Sequence, residues 1–161
     1  MSVNIIVAMT KQRVIAKNNK IPWHIPGEIN LFYNTIKDGV AIMGRKTYEA
    51  IVRKPHAKYN IVISSSLNTA NYATICKKFE DALLKAKSFN LPIWILGGTQ
   101  IYEEALSVAD KIYVSYIKKD YEGDAYFPEF DEKEWIIESR KDFKEFEFVV
   151  CQKPPVNTLV A

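Results

Sequence analysis

Val40-Ala41-Ile42-Met43-Gly44-Arg45-Lys46-Thr47 decides the fold. Its first half is a nearly continuous apolar run, as expected of a central strand covered on both faces. The run stops at Gly44, and the chain turns basic and polar where a helix from Arg45 to Val52 is predicted to open. A strand feeding directly into a helix through a glycine is the unit of an α/β domain.

The same pattern recurs on either side. Asn4 to Met9, Asn60 to Ser64 and Pro92 to Gly97 read as further buried strands. Between them, Phe79, Ala82, Leu83 and Ala86 follow the spacing of one helical face. Shorter helices are predicted over Glu28–Ile36, with Gly39 as its C-terminal closure, and over Thr99–Leu106. After Asp110 the pattern changes: Lys111–Ile117 is rich in β formers. Trp135–Ser139 and Phe146–Val150 have no helix between them and read as an antiparallel hairpin. The sum is an α/β domain whose mixed central sheet is mostly parallel and ends in antiparallel strands. One domain over residues 1–161 is expected, with a core from about 4 to 153 and a tail from 154 to 161.

Composition narrows the function. Of 161 residues, 48% are hydrophobic and 25% charged, an ordinary globular balance. The net charge of +3 is a mild excess that fits small anions and lacks the dense basic stripe of a nucleic-acid binder. No apolar run approaches a membrane span, and Met1-Ser2-Val3-Asn4 does not open a secretory leader. Cys76 and Cys151 are distant in sequence, and two lone thiols in a reducing, cytoplasmic setting are expected. No CxxC or paired-histidine spacing suggests zinc, so no metal is expected. With no exposed apolar stripe left unassigned, a monomer is the default.

Two strand-to-helix junctions carry phosphate-binding signals. At Gly44-Arg45-Lys46-Thr47 the helix start offers unpaired N–H groups, two full positive charges and a hydroxyl. The competing explanation is a solvated basic first turn, but cations there oppose the helix dipole. At Leu96-Gly97-Gly98-Thr99-Gln100-Ile101-Tyr102 a Gly-Gly follows a buried strand. This is not GxGxxG, so an ordinary dinucleotide fingerprint is absent. Both junctions fall at strand C-terminal ends, the edge at which open α/β sheets bind ligands. Lys11 to Pro26 is a long connection whose Val14, Ile15, Ile21 and Trp23 argue for a loop lying over a ligand. Glu28 follows it. On local sequence alone, Glu28 is better explained as a favourable first-turn acid than as a catalyst, and His24 as a surface histidine.

Taken in order, Arg13-Val14-Ile15, Ile21-Pro22-Trp23-His24-Ile25-Pro26-Gly27-Glu28, Ile42 to Glu49, Asn60 to Ser64, Leu96 to Tyr102 and Glu122 to Pro128 closely resemble the dihydrofolate reductase family, from Asn4 to about Lys153. The resemblance implies a sheet of about eight strands flanked by four helices. It also implies NADPH-dependent reduction of dihydrofolate, a small-molecule substrate. Glu28 would hold the pterin's amino group and adjacent ring nitrogen, Ser115 would hydrogen-bond near that carboxylate, and Trp23 would position a water. Ile6, Val7, Ile29, Phe32, Ile51 and Leu96 would wall the substrate pocket. Gly44, Arg45, Lys46, Thr47, Ile63, Ser64, Ser65, Lys77, Gly97, Gly98, Thr99, Gln100, Ile101 and Tyr102 would hold NADPH. Arg45, Ser65 and Lys77 would meet its 2′-phosphate. Ala8, Ile15, Asn19 and Ile21 would cover the nicotinamide and ribose.

The chain departs from the family over residues 52–58. Lys58 stands where the family has an arginine that grips the substrate's α-carboxylate, and a lysine cannot make that planar fork. Arg53 or Lys54 would be the compensating cation. Ala16 replaces a frequent glycine, and Gln100 a position often basic. Two alternatives stay open: a related pteridine or pyrimidine reductase with a changed substrate, and a binding protein that keeps the fold without turnover.

Overall fold

The computed structural model describes residues 2–51 and 57–155. In chain order the strands and helices are β1 (Val3–Thr10), β2 (Val14–Ala16), α1 (Pro26–Ile36), β3 (Val40–Gly44), α2 (Arg45–Ile51), β4 (Tyr59–Ile63), β5 (Thr74–Cys76), α3 (Phe79–Lys87), β6 (Ile93–Ile95), α4 (Thr99–Leu106), β7 (Lys111–Ile117), β8 (Ala125–Tyr126), β9 (Ile136–Asp142) and β10 (Phe146–Gln152). A single 3₁₀ turn, Glu132–Glu134, precedes β9. Eight strands form one sheet in the order β5-β4-β3-β6-β1-β7-β10-β9. All its pairings are parallel except those of β10, which runs antiparallel to both β7 and β9. No helix among the described residues is long and apolar enough to cross a membrane.

The continuous apolar strands are central because both sheet faces are covered. On one face, Ile5, Val7, Ile42, Ile61 and Ile95 join Phe79, Ala82 and Ala86 of α3 and Ile101, Tyr102 and Ala105 of α4. On the other, Ile6, Ala41, Met43, Val62, Trp94 and Leu96 meet Ile36 of α1, with Phe32, Tyr48 and Ile51 packed against them. A third cluster, Trp23, Ile25, Ile117 and Phe146, closes the end of that second face. Each fully buried aliphatic side chain contributes about 1.5–3 kcal/mol, so these layers carry most of the fold's stability.

Three expectations change. The Lys11–Pro26 connection is not all loop. It contains β2, which pairs with β8 in a separate two-stranded ribbon. It then turns through Lys17-Asn18-Asn19-Lys20, closed by reciprocal backbone hydrogen bonds of 2.8 and 3.0 Å. Asn18 and Asn19 both take positive φ, 50° and 63°, which asparagine tolerates in a two-residue hairpin. Gly39 donates its N–H to the Ile36 carbonyl at 3.0 Å, as a closing residue would. Its glycine identity has another cause: a Cβ there would lie 2.6 Å from the Pro92 carbonyl and 2.7 Å from the Trp94 ring. Val7 is the third. Side chains alternate along β1, so Val7 points into the α3–α4 face while Ile6 points toward α1. The Val7 side chain therefore does not share a wall with Ile6.

Candidate active site

Pro26 and Gly27 open α1, and Glu28 follows in its first turn. Its N–H donates to the Ile25 carbonyl at 3.0 Å. Glu28 as a whole is only 9% exposed. Beneath it run β1 and β7, registered so that Ile6 lies beside Tyr113 and Ala8 beside Ser115. The Ser115 hydroxyl, itself buried, hydrogen-bonds the Glu28 side chain. Burial pushes the Glu28 carboxyl from its ordinary 4.5 to about 7, and the serine bond offsets only part of that rise. A carboxylate at the edge of ionisation, sunk in an apolar surround, is a frequent mark of a working acid or hydrogen-bond anchor.

The surround is assembled from separate elements. Ile6 and Leu96 are buried with Phe32 and Ile51 packed against the same cluster, and Ile29 is half-buried on α1 beside Glu28. Trp23 is buried with Ile25, Ile117 and Phe146, with Ala8 and Leu31 against them. Its indole N–H meets no protein acceptor among the described residues. Two tyrosines feel the Glu28 carboxylate: Tyr102, expected among the cofactor residues, and Tyr33, which went unread in the sequence. Burial first, and then the charge of Glu28, raise the hydroxyl pKa of both Tyr33 and Tyr102. Nothing local marks Tyr33, whose neighbours at helical spacing are ordinary for a half-buried helix.

The two glycine junctions are one structure. The Gly44 N–H donates to the Gly97 carbonyl at 2.8 Å, so the ends of β3 and β6 are tied together. Gly97 has φ of 103°, and a Cβ there would lie 2.7 Å from the Tyr102 ring. The Tyr102 hydroxyl lies 2.9 Å from the carbonyls of both Ile6 and Leu96 and shares its one proton between them. Tyr102 and Ile101 thus support the junction from below with their side chains buried. Gly98 differs: a Cβ would find only the Thr47 hydroxyl, at 3.9 Å. Packing within the protein therefore does not require glycine at 98, whereas close approach of a phosphate to bare backbone does. The donor set fits a dinucleotide.

Other expected cofactor residues are spread around this edge. Lys46, Ser65, Lys77 and Gln100 are exposed, Thr47 and Ile63 half-exposed. Arg45 is exposed and pairs with Glu49 at 3.1 Å, one turn along α2. The Ser64 hydroxyl accepts from the N–H groups of Ser66 and Leu67 at 3.2 and 3.1 Å, shaping the following turn. Thr99 donates its hydroxyl to the Tyr126 carbonyl at 2.8 Å, binding α4 to β8. Ile15 is half-buried against the α3–α4 core, Asn19 lies in the hairpin turn, and Ile21 is 54% exposed.

Arg53 and Lys54 lie outside the described residues. Lys58 is exposed ahead of β4, its ammonium 5.9 Å from the Tyr59 ring centroid. Tyr59 opens β4, the neighbour of the edge strand β5, and stacks on Phe89 at 4.1 Å, so Lys58 sits at the N-terminal end of β4.

A buried carboxylate at the carboxyl ends of parallel strands, beside a glycine-backed helix start open to phosphate, defines the class: an α/β enzyme that binds its ligands across the strand ends. Comparison with known proteins specifies it. The family model described as dihydrofolate reductase matches residues 2–152. The chain is 36% identical over 148 residues to a dihydrofolate reductase of Buchnera aphidicola subsp. Baizongia pistaciae, covering 91% of this chain and 90% of that protein. It is 34% identical over 159 residues to the dihydrofolate reductase of Bacillus subtilis (strain 168), covering 94% of each. The protein of Buchnera aphidicola subsp. Acyrthosiphon pisum is 39% identical over 131 residues, 81% of each chain. This chain belongs to the dihydrofolate reductase family.

Proposed function

We propose that the protein reduces 7,8-dihydrofolate to 5,6,7,8-tetrahydrofolate, serving one-carbon and thymidylate metabolism, with NADPH as the reductant. The observation that carries this reading is Glu28: buried, hydrogen-bonded to Ser115, and raised to about 7 by desolvation. A flat heterocycle bearing an amino group beside a ring nitrogen presents two parallel donors to such a carboxylate.

When bound, NADPH supplies a hydride to a ring carbon of the substrate; the adjacent imine nitrogen takes a proton. Glu28 orients the ring, and its negative charge favours the protonated heterocycle. By its resemblance to the family, Glu28 would sit on the side of the pterin away from the imine nitrogen, so the proton would come by way of water. The Trp23 indole N–H would hold that water; its burial without a protein acceptor among the described residues supports this. Ile6, Phe32, Ile51 and Leu96, clustered on one sheet face, would exclude bulk solvent and pack the ring. The backbone from Gly44 to Thr47 and from Gly97 to Thr99 would hold the pyrophosphate. Arg45, Ser65 and Lys77 would meet the 2′-phosphate, with Arg45 sharing its charge between that group and Glu49.

A steady-state assay tests the substrate. The proposal expects dihydrofolate to be reduced with higher kcat/KM than an unconjugated dihydropterin. Lysine at position 58, ahead of β4 and unable to make an arginine's planar fork, supports a second reading, a pteridine reductase indifferent to the tail. Equal efficiency with the two substrates would select it.

A further inference from the structure

Trp23 is held from a direction that the sequence does not announce. The ring of Tyr121 lies 5.5 Å from it, centroid to centroid, tilted by 57°. Tyr121 belongs to the segment between β7 and β8 and packs against the cluster of Trp23, Ile25, Ile117 and Phe146. The Lys119 ammonium lies 5.4 Å from the centroid of the same tyrosine ring. Tyr121 also lines a hollow of about 510 Å³, so its ring is packed on Trp23 without being enclosed by a filled core.

The same segment grips the hairpin that precedes Trp23. The Asp124 carboxylate accepts from the Asn18 N–H at 3.1 and 3.2 Å, and Lys17 lies 3.7 Å from Glu122. Trp23 is 7% exposed, and its N–H finds no protein acceptor among the described residues. Among the described residues the direction of that N–H is therefore set by packing, of Ile25, Ile117 and Phe146 and of the Tyr121 ring, with no hydrogen bond to fix it. Tilted aromatic contacts are directional, because the positive edge of one ring seeks the negative face of the other.

We propose that Tyr121 is a positioning residue that aims the Trp23 indole N–H, and so acts on proton delivery through Trp23. The inference deepens the reductase reading and rests on it for its kinetic consequence. Without the tyrosine ring the indole is free to tilt, and a water on its N–H moves away from the imine nitrogen. Hydride donation and the Glu28 contact stay in place. The defect is therefore confined to conditions in which protonation limits the reaction.

The test compares Tyr121→Ala and Tyr121→Phe in single-turnover hydride transfer across pH. Tyr121→Ala is expected to slow the step about tenfold at pH 9 and within about twofold at pH 6, the size of a partial loss of general-acid assistance. NADPH affinity is expected to stay within about twofold, and Tyr121→Phe to restore the wild-type profile. In ¹H–¹⁵N spectra the Trp23 indole resonance, identified by its loss in Trp23→Phe, is expected to shift in Tyr121→Ala and hold in Tyr121→Phe. A uniform loss at every pH, or an unmoved resonance with an unmoved profile, overturns the proposal. Wild-type protein that does not reduce dihydrofolate would overturn the reductase reading instead, while the indole resonance would still decide whether Tyr121 positions Trp23.

Discussion

In the first turn of α1, a negative charge on Glu28 gains roughly 0.3–1 kcal/mol from the unpaired N–H groups of the helix. Burial works against it: a rise from 4.5 to about 7 corresponds to about 3 kcal/mol against ionisation. Burial wins, and for that reason the local sequence misjudged this residue. Desolvation is created by Ile6, Phe32 and Leu96 arriving from other elements, and no window around residue 28 contains them. The raised pKa has a definite consequence for stability. The folded state binds the proton more tightly than the unfolded chain, so this contribution is fully present below about pH 4.5 and is lost as pH rises through about 7. Glu28→Gln, which never ionises, should therefore gain stability relative to wild type across that window, by up to about 3 kcal/mol, and level off above it. Denaturant midpoints of both proteins from pH 4.5 to 8 measure this, and a pH-independent difference would count against the buried carboxylate. Lys58 carries a separate expectation. Lys58→Ala should raise the Michaelis constant for dihydrofolate while leaving hydride transfer within about twofold, as removal of a uniform binding contact does. An unaltered Michaelis constant would remove Lys58 from the site.

The elements most legible in the sequence are those whose pattern is long. The apolar runs of β1, β3 and β4 and the helical spacing of α3 mark themselves. β2, β5 and β8 have three residues or fewer and too little length for a period to show. The opposite layers of Ile6 and Val7 were not legible because a continuous apolar strand hides which alternate residues face which layer. The glycines were visible, but their reasons differ in ways only the tertiary contacts reveal. Gly97 is fixed by its φ of 103° and by the Tyr102 ring, so Gly97→Ala should cost about 2–4 kcal/mol of stability. Gly98 meets no such obstacle from the protein. Gly98→Ala should weaken NADPH binding by a larger factor than its loss of stability explains. Thermal melts and cofactor titration of the two variants separate these effects; equal profiles would show that the junction is a turn and nothing more.

For the whole molecule, the sheet order brings β3, β6 and β1 together, although they are far apart in sequence, and so joins two weak glycine signals into one strand edge. The α/β class, the mostly parallel sheet and the terminal hairpin were legible because crossover helices and apolar strands alternate. The pairing order was not, because it depends on which faces fit. A ligand that binds only the folded protein stabilises it by mass action, by about 2.7 kcal/mol at a hundred times its dissociation constant. NADPH should thus raise Tm clearly more than NADH at equal concentration, through the 2′-phosphate and the exposed Lys77 and Ser65. Equal shifts would remove that charge contact. The central claim is that Glu28 acts on the substrate at the reacting centre. Single-turnover hydride transfer from NADPH to dihydrofolate, measured in wild type and Glu28→Gln beside NADPH affinity, tests it most directly. The expected result is a rate loss of about a hundredfold or more with NADPH affinity within about twofold. Unchanged hydride transfer, or equal losses in rate and cofactor affinity, would contradict it.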